Sequence, residues 1–185
     1  FIYDKYDTWE FFTDGSAPVC RTKNNGRKQG LEFRVVKLDK DQLFHKKNDK
    51  LLVMGYSHRD KSRAFYHGVI GKNGVKRILH GPKWHRFIAK AKKADKLLFS
   101  RENYREYPDL WVAPLSLKKP KKLTNLGNQT KEFLWGKSRL VEWNSLDGVP
   151  LQGILITPDN YDPKKRYPVL VYYYRLFTQR LHRFN

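Results

Sequence analysis

Among the residue types capable of nucleophilic chemistry, one stretch stands out: Gly55-Tyr56-Ser57-His58-Arg59. It approaches the Gly-x-Ser-x-Gly elbow that exposes a serine at the top of a hydrolase sheet, but its last position is arginine rather than glycine. His58 adjoins the serine, yet neighbours along a strand point to opposite faces and cannot pair as nucleophile and base. Ser57 is therefore expected to be a hairpin-turn residue. The six histidines, His45, His58, His67, His80, His85 and His182, lack metal-ligand spacing with one another or with cysteine. The lone Cys20 excludes an internal disulfide framework. Asp147, Asp159 and Asp162 fall at turn positions without calcium-loop spacing, and no glycine-rich phosphate loop occurs. Neither a metal nor another cofactor is expected. Asn128-Gln129-Thr130 matches a glycosylation sequon, a short pattern that arises often by chance.

The elements that would position any such chemistry are strands. Hydrophobic residues make up 39% and aromatics 15% of 185 residues, too rich for a disordered chain. Three similar units recur. Asp7-Thr8-Trp9-Glu10-Phe11-Phe12 leads through Asp14-Gly15 to Pro18-Val19-Cys20-Arg21-Thr22. Ala64-Phe65-Tyr66-His67-Gly68-Val69-Ile70 leads through Gly71-Lys72-Asn73-Gly74 to Lys76-Arg77-Ile78-Leu79. Pro108-Asp109-Leu110-Trp111-Val112-Ala113-Pro114-Leu115 leads through a lysine-rich turn to Lys121-Lys122-Leu123-Thr124. Asp-Gly and Asn-Gly supply the positive φ that tight hairpins need. The aromatics Trp9, Tyr66 and Trp111 lie 57 and 45 residues apart, room for about four strands per unit, the size of a propeller blade. Further strands are expected at Phe1-Ile2-Tyr3, Leu51-Leu52-Val53-Met54-Gly55-Tyr56 and Leu97-Leu98-Phe99-Ser100.

The last third reads differently. Glu142-Trp143-Asn144-Ser145 and Leu151-Gln152-Gly153-Ile154-Leu155-Ile156 flank Asp147-Gly148, a hairpin signal. Pro158 ends the second strand because it lacks a donor. After a polar loop, residues 168–174 are β-branched and aromatic, the content of an interior strand that needs neighbours on both sides. The chain is thus expected to be a piece of a larger protein.

The order of these pieces resembles the prolyl oligopeptidase family of serine peptidases, in particular its dipeptidyl-peptidase-IV-like and acylaminoacyl-peptidase-like branches. The residues that carry the resemblance are Asp7-Thr8-Trp9, Phe99-Ser100-Arg101-Glu102, Tyr107-Pro108-Asp109-Leu110-Trp111-Val112 and Lys122-Leu123-Thr124-Asn125. It continues through Leu140-Val141-Glu142-Trp143-Asn144-Ser145-Leu146-Asp147-Gly148, Thr157-Pro158 and Tyr167-Pro168-Val169-Leu170-Val171. It implies a mainly β chain: residues 1–137 as the last blades of a β-propeller, about three, and residues 138–185 as the first strands of a truncated α/β-hydrolase domain. It further implies a peptidase acting on short peptides through an acyl-enzyme, with nucleophile, acid and base all outside these residues, so that this chain alone is inactive. A tyrosine after the first long hydrolase strand donates to the oxyanion in this family, and Tyr174 takes the matching position. The resemblance also implies a periplasmic or secreted parent.

Two other functions stay open. A formal net charge of +20, concentrated at residues 83–96 and Lys118-Lys119-Pro120-Lys121-Lys122, suits a basic β-repeat module that binds nucleic acid or another polyanion. The first basic run even admits a helix, with Ile88 and Ala91 near helical spacing. No aromatic is interleaved with the second run and no binding motif accompanies either, so the charge is read as solvating surface. The other alternative is a non-catalytic interaction propeller. No apolar run approaches the roughly 20 residues of a membrane span.

Overall fold

A computed structural model describes residues 1–174 and 176–184. The chain is mainly β. β1 (Ile2–Tyr3), β2 (Thr8–Glu10) and β3 (Val19–Cys20) form a three-stranded antiparallel sheet. One turn and a half of helix, α1 (Asn25–Gln29), follows and stops at Gly30, whose φ of 67° suits a residue without Cβ. Two four-stranded antiparallel meanders come next. The first is β4 (Leu31–Val35), β5 (Lys50–Ser57), β6 (Arg63–Val69) and β7 (Lys76–Leu79); the second is β8 (Trp84–Lys90), β9 (Leu97–Glu102), β10 (Asp109–Ala113) and β11 (Lys121–Lys122). They touch through one parallel bridge, Arg63 to Trp84, which joins them into an eight-stranded sheet. β12 (Lys137–Asn144) and β13 (Pro150–Thr157) form a separate hairpin. None of these sheets closes on itself.

The continuous apolar run of β5 has a physical reason. Side chains alternate across a strand, and here both faces are covered. Leu51 and Val53 join Phe33, Ala64, Tyr66 and Ile70 in one cluster. Leu52 turns the other way and joins Phe65, Leu97, Phe99, Ala113 and Leu117, which lie between the two meanders. The Phe65 and Phe99 rings meet edge-on at 5.8 Å. Each large side chain buried this way contributes about 2–3 kcal/mol relative to exposure. Gly55 sits where a Cβ would come within 2.5 Å of the Tyr66 ring, so the missing side chain is what lets that ring lie flat on β5.

The repeated hairpins share one register. Trp9 pairs with Cys20, Tyr66 with Arg77 and Trp111 with Lys122, eleven residues ahead in each case. Two of the three also share a side-chain lock. The buried Asp7 accepts from the Thr22 hydroxyl at 2.5 Å, and the buried Asp109 accepts from the Thr124 hydroxyl at 2.6 Å, fifteen residues ahead both times. Each threonine oxygen in turn accepts a backbone N–H, from Thr8 and Leu110 respectively. The middle hairpin has Ala64 and Leu79 at these two positions and no carboxylate. There the backbone ladder runs on to a Phe65–Leu79 pair, and β7 has four residues where β3 and β11 have two. Side-chain bonds in the outer units stand in for ladder bonds in the middle one.

Two expectations are corrected, and one turn finds its own geometry. Residues 84–90 of the basic run form a strand, not a helix: His85 is buried and pairs opposite Arg101, and Phe87 packs on the second cluster. The lysine-rich turn carries its positive φ on Leu117 (53°) and Lys119 (48°) rather than on glycine. Residues 168–174, expected as an interior strand, are irregular, and Val169 to Tyr174 are each at least 73% exposed. A strand exists only through its pairing, and no described strand pairs with this segment.

Candidate functional site

Tyr174, implied as an oxyanion donor, lies in that exposed segment with 74% of its surface open to solvent. Among the described residues its hydroxyl has no hydrogen-bond partner; Tyr172, two positions away, packs edge-on against Phe177 at 5.2 Å. Ser57 and His58 are not brought together either. Ser57 is the last residue of β5, and its Oγ accepts the Asp60 N–H at 3.3 Å, closing the turn into β6. His58 turns to Glu32, with Nε2 2.8 Å from Oε1. No serine–histidine pair forms here, so this constellation has no nucleophile to activate.

Two hollows do gather polar side chains. The larger, about 800 Å³, opens between the β5–β6 turn and the β12–β13 hairpin, lined by His58, Asp60, Arg139, Glu142, Gln152 and His182. Lys61 bridges its walls: the Lys61 ammonium donates to the His58 carbonyl at 2.6 Å and to Gln152 Oε1. Gln152 passes its own amide on to Glu142. Burial depresses the Lys61 ammonium, opposed by the charges of Glu142 and Asp60. Burial lifts the Asp60 carboxyl, but bonds from Ser62 and Ser57 and the nearby His182 outweigh it and hold the group below its ordinary value. On the far side, His182 Nε2 meets the Asp60 carbonyl at 2.8 Å. The wall carries mixed charge, and its Asp60 carboxylate accepts the Ser62 hydroxyl at 2.7 Å within the turn itself.

The second hollow, about 230 Å³, lies where β4, β5, β6 and β8 converge, lined by Glu32, Arg34, Tyr56, Arg63, Trp84 and Gln179, with Met54 beneath. The guanidinium carbons of Arg63 and Arg183 stand 4.8 and 5.2 Å from the Trp84 ring centroid. The Tyr56 ring meets Trp84 edge-on at 6.0 Å. Burial, with the charges of Arg183 and Arg86 beside it, pushes the Arg63 guanidinium down to about 10. Burial, helped by the Glu32 and Asp60 carboxylates, pushes the Tyr56 phenol up to about 12. Sequence reasoning missed both Lys61 and Arg63, because each is one of 38 lysines and arginines without a motif around it. Trp84, inside the flagged basic run, was the single legible pointer.

Among the described residues no group of three or more His, Cys, Asp or Glu is placed to hold a metal ion. Among the described residues no helix is long and apolar enough to cross a membrane. No protein-family model matches the chain, and no curated protein matches it. Among solved structures it is similar to a variant of the AtxE2 isopeptidase with Astexin3-dC4 bound, at 12% identity and a TM-score of 0.44. The match covers 84% of this chain and spans 30% of that one.

Proposed function

We propose that the chain is part of a serine peptidase similar to the prolyl oligopeptidase family. Residues 1–137 supply propeller blades and residues 138–185 the entry to an α/β-hydrolase domain. The observation that carries this reading is the common register of the three hairpins, Trp9–Cys20, Tyr66–Arg77 and Trp111–Lys122, with Leu52 and Phe65 of the first meander packed on Leu97 and Phe99 of the second. Repeated meanders of this kind, with β5 covered on both faces, support the reading as propeller blades. The separate β12–β13 hairpin supports a change of domain at about Lys137. It is tied back to the blades by Lys61–Gln152 and Arg105–Asp159.

In such an enzyme a serine attacks the peptide carbonyl, a histidine takes its proton, and the amine leaves as an acyl-enzyme forms and is later hydrolysed. Those groups lie outside residues 1–185. What this chain contributes is access control by the blades and, from Tyr174, a hydroxyl aimed at the oxyanion. For that role residues 168–174 must be seated as a strand in the completed sheet, which their β-branched and aromatic content favours. One such donor lowers the barrier by about 3 kcal/mol.

The test is labelling of the product of the native reading frame with an active-site fluorophosphonate. The expected result is one labelled serine, in a Gly-x-Ser-x-Gly sequence beyond residue 185. Tyr174→Phe should then reduce kcat about 100-fold with little change in KM. A native product that is intact and stays unlabelled overturns the peptidase reading in favour of a non-catalytic interaction propeller.

A further inference from the structure

Among the described residues, the smaller hollow contains a cation without a counter-ion. Around it, each carboxylate is already engaged. Glu32 faces His58 at 2.8 Å and Arg34 at 4.0 Å, and Glu102 takes Arg183 at 2.9 Å. Arg34 also spends its donors on the carbonyls of Phe33 and Lys5. Arg63 differs from all of these. Among the described residues no carboxylate lies within 4.0 Å of its guanidinium, and it donates no hydrogen bond. Arg86 adds a second positive charge close enough to depress it. The Arg63 nitrogens are not among the buried polar atoms left without a partner, so what the site lacks is a carboxylate rather than water, and the planar fork keeps its donors available to an incoming anion.

The neighbours narrow what fills the gap. Stacking on Trp84 holds the Arg63 fork in place, so little side-chain freedom is left to lose on binding. Trp84 Nε1 is buried without a partner, and the Tyr56 hydroxyl donates to no described group. A planar fork with the Tyr56 hydroxyl beside it matches the two oxygens of a carboxylate. Glu32 in the wall disfavours a dianion such as a phosphate monoester. The Trp84 ring, already faced by two guanidiniums, is no open platform for a nucleobase. A volume of about 230 Å³ is below that of a pocket for a whole drug-sized ligand and suits a single residue.

We infer that Arg63, held by Trp84 and flanked by Tyr56, forms a subsite that binds a peptide through one carboxylate, either its C-terminus or an acidic side chain. This rests on the peptidase reading for the nature of the ligand, but not for the site. Arg63 binds and selects here; it is not a catalytic residue.

Calorimetry on the complete product of the native frame tests it with three probes: N-acetyl-trialanine as the free acid, the same peptide as its C-terminal amide, and N-acetyl-Ala-Glu-Ala amide. At least one acid should bind about tenfold or more tightly than the trialanine amide, and which one identifies the source of the carboxylate. Arg63→Gln should abolish that preference while thermal unfolding stays near wild type, and Arg86→Gln should keep most of it. Should Arg63→Gln not fold, the acid-against-amide comparison on the wild type decides alone. Equal affinity for all three probes overturns the inference, as does an Arg63→Gln protein that folds and keeps the preference. Failure of fluorophosphonate labelling with the acid preference intact removes the peptidase and leaves the site. Successful labelling without any preference removes only the site.

Discussion

Replacing Asp109 by alanine tests the lock that two of the three hairpins share. Asp109 is 1% exposed and collects the Thr124 hydroxyl at 2.6 Å, the Leu126 N–H at 3.0 Å and the Lys122 ammonium at 2.7 Å. Truncation leaves Lys122 half-exposed and free to rehydrate, so the ion pair adds little to the cost. The half-buried Thr124 hydroxyl loses a charged acceptor, worth about 2 kcal/mol, and the Leu126 N–H adds about 1 kcal/mol. The sum is about 3 kcal/mol. With a urea m-value of about 2 kcal/mol/M, the unfolding midpoint at pH 7 should drop by about 1.5 M. Thr124→Val should cost far less in the Asp109→Ala background than in the wild type, with a coupling energy above about 1 kcal/mol. Asp7→Ala, which orphans the buried Thr22 hydroxyl and the Gly26 and Arg27 N–H groups, should cost at least as much. A loss below about 1 kcal/mol at Asp109, or additive effects of the two substitutions, would refute the lock. Acid should release it as well. Burial raises the Asp109 carboxyl, yet Lys122, Thr124 and Leu126 outweigh burial and leave it below its ordinary value. Its stabilisation is therefore present above the unfolded carboxylate range and lost as pH falls through the lowered value.

His85 adds a loss at milder acidity. Burial is the main cause that pushes its imidazole down to about 4, against the bond from its Nδ1 to the Arg63 carbonyl at 2.6 Å. The folded state holds it neutral while the unfolded chain takes a proton near pH 6.5, so stability declines between about 6.5 and 4 by about 3 kcal/mol. His85→Gln should flatten that part of the stability–pH curve, and parallel curves for the two proteins would contradict the assignment. Gly55→Ala should cost about 1–3 kcal/mol, because its Cβ would enter the Tyr66 ring at 2.5 Å and press Phe33 at 3.2 Å. Denaturant melts in a Tyr66→Leu background check the cause: there the same substitution should cost clearly less.

Local chemistry made much of this chain legible from its residues. Trp9, Tyr66 and Trp111 mark strands because aromatic and β-branched side chains favour a pleated, half-buried surface. Gly15 and Gly148 take positive φ at the expected hairpin turns. The run of Leu51 to Tyr56 already pointed to a strand, and only the packing shows both its faces covered. What the sequence could not state was anything fixed by partners far along the chain. Residues 83–96 carry a helical spacing as well as a strand content, and pairing with β9 settles the choice by burying His85 opposite Arg101. Residues 168–174 have the content of a strand and lie exposed, because pairing and not content makes a strand. Lys61 and Arg63 are chemically unremarkable in a chain of 38 basic residues. The turn after β5 places one against Gln152, ninety-one residues away, and the bridge to β8 stacks the other on Trp84. A cation's meaning lies in whether a carboxylate ends up beside it, and only the tertiary arrangement decides that.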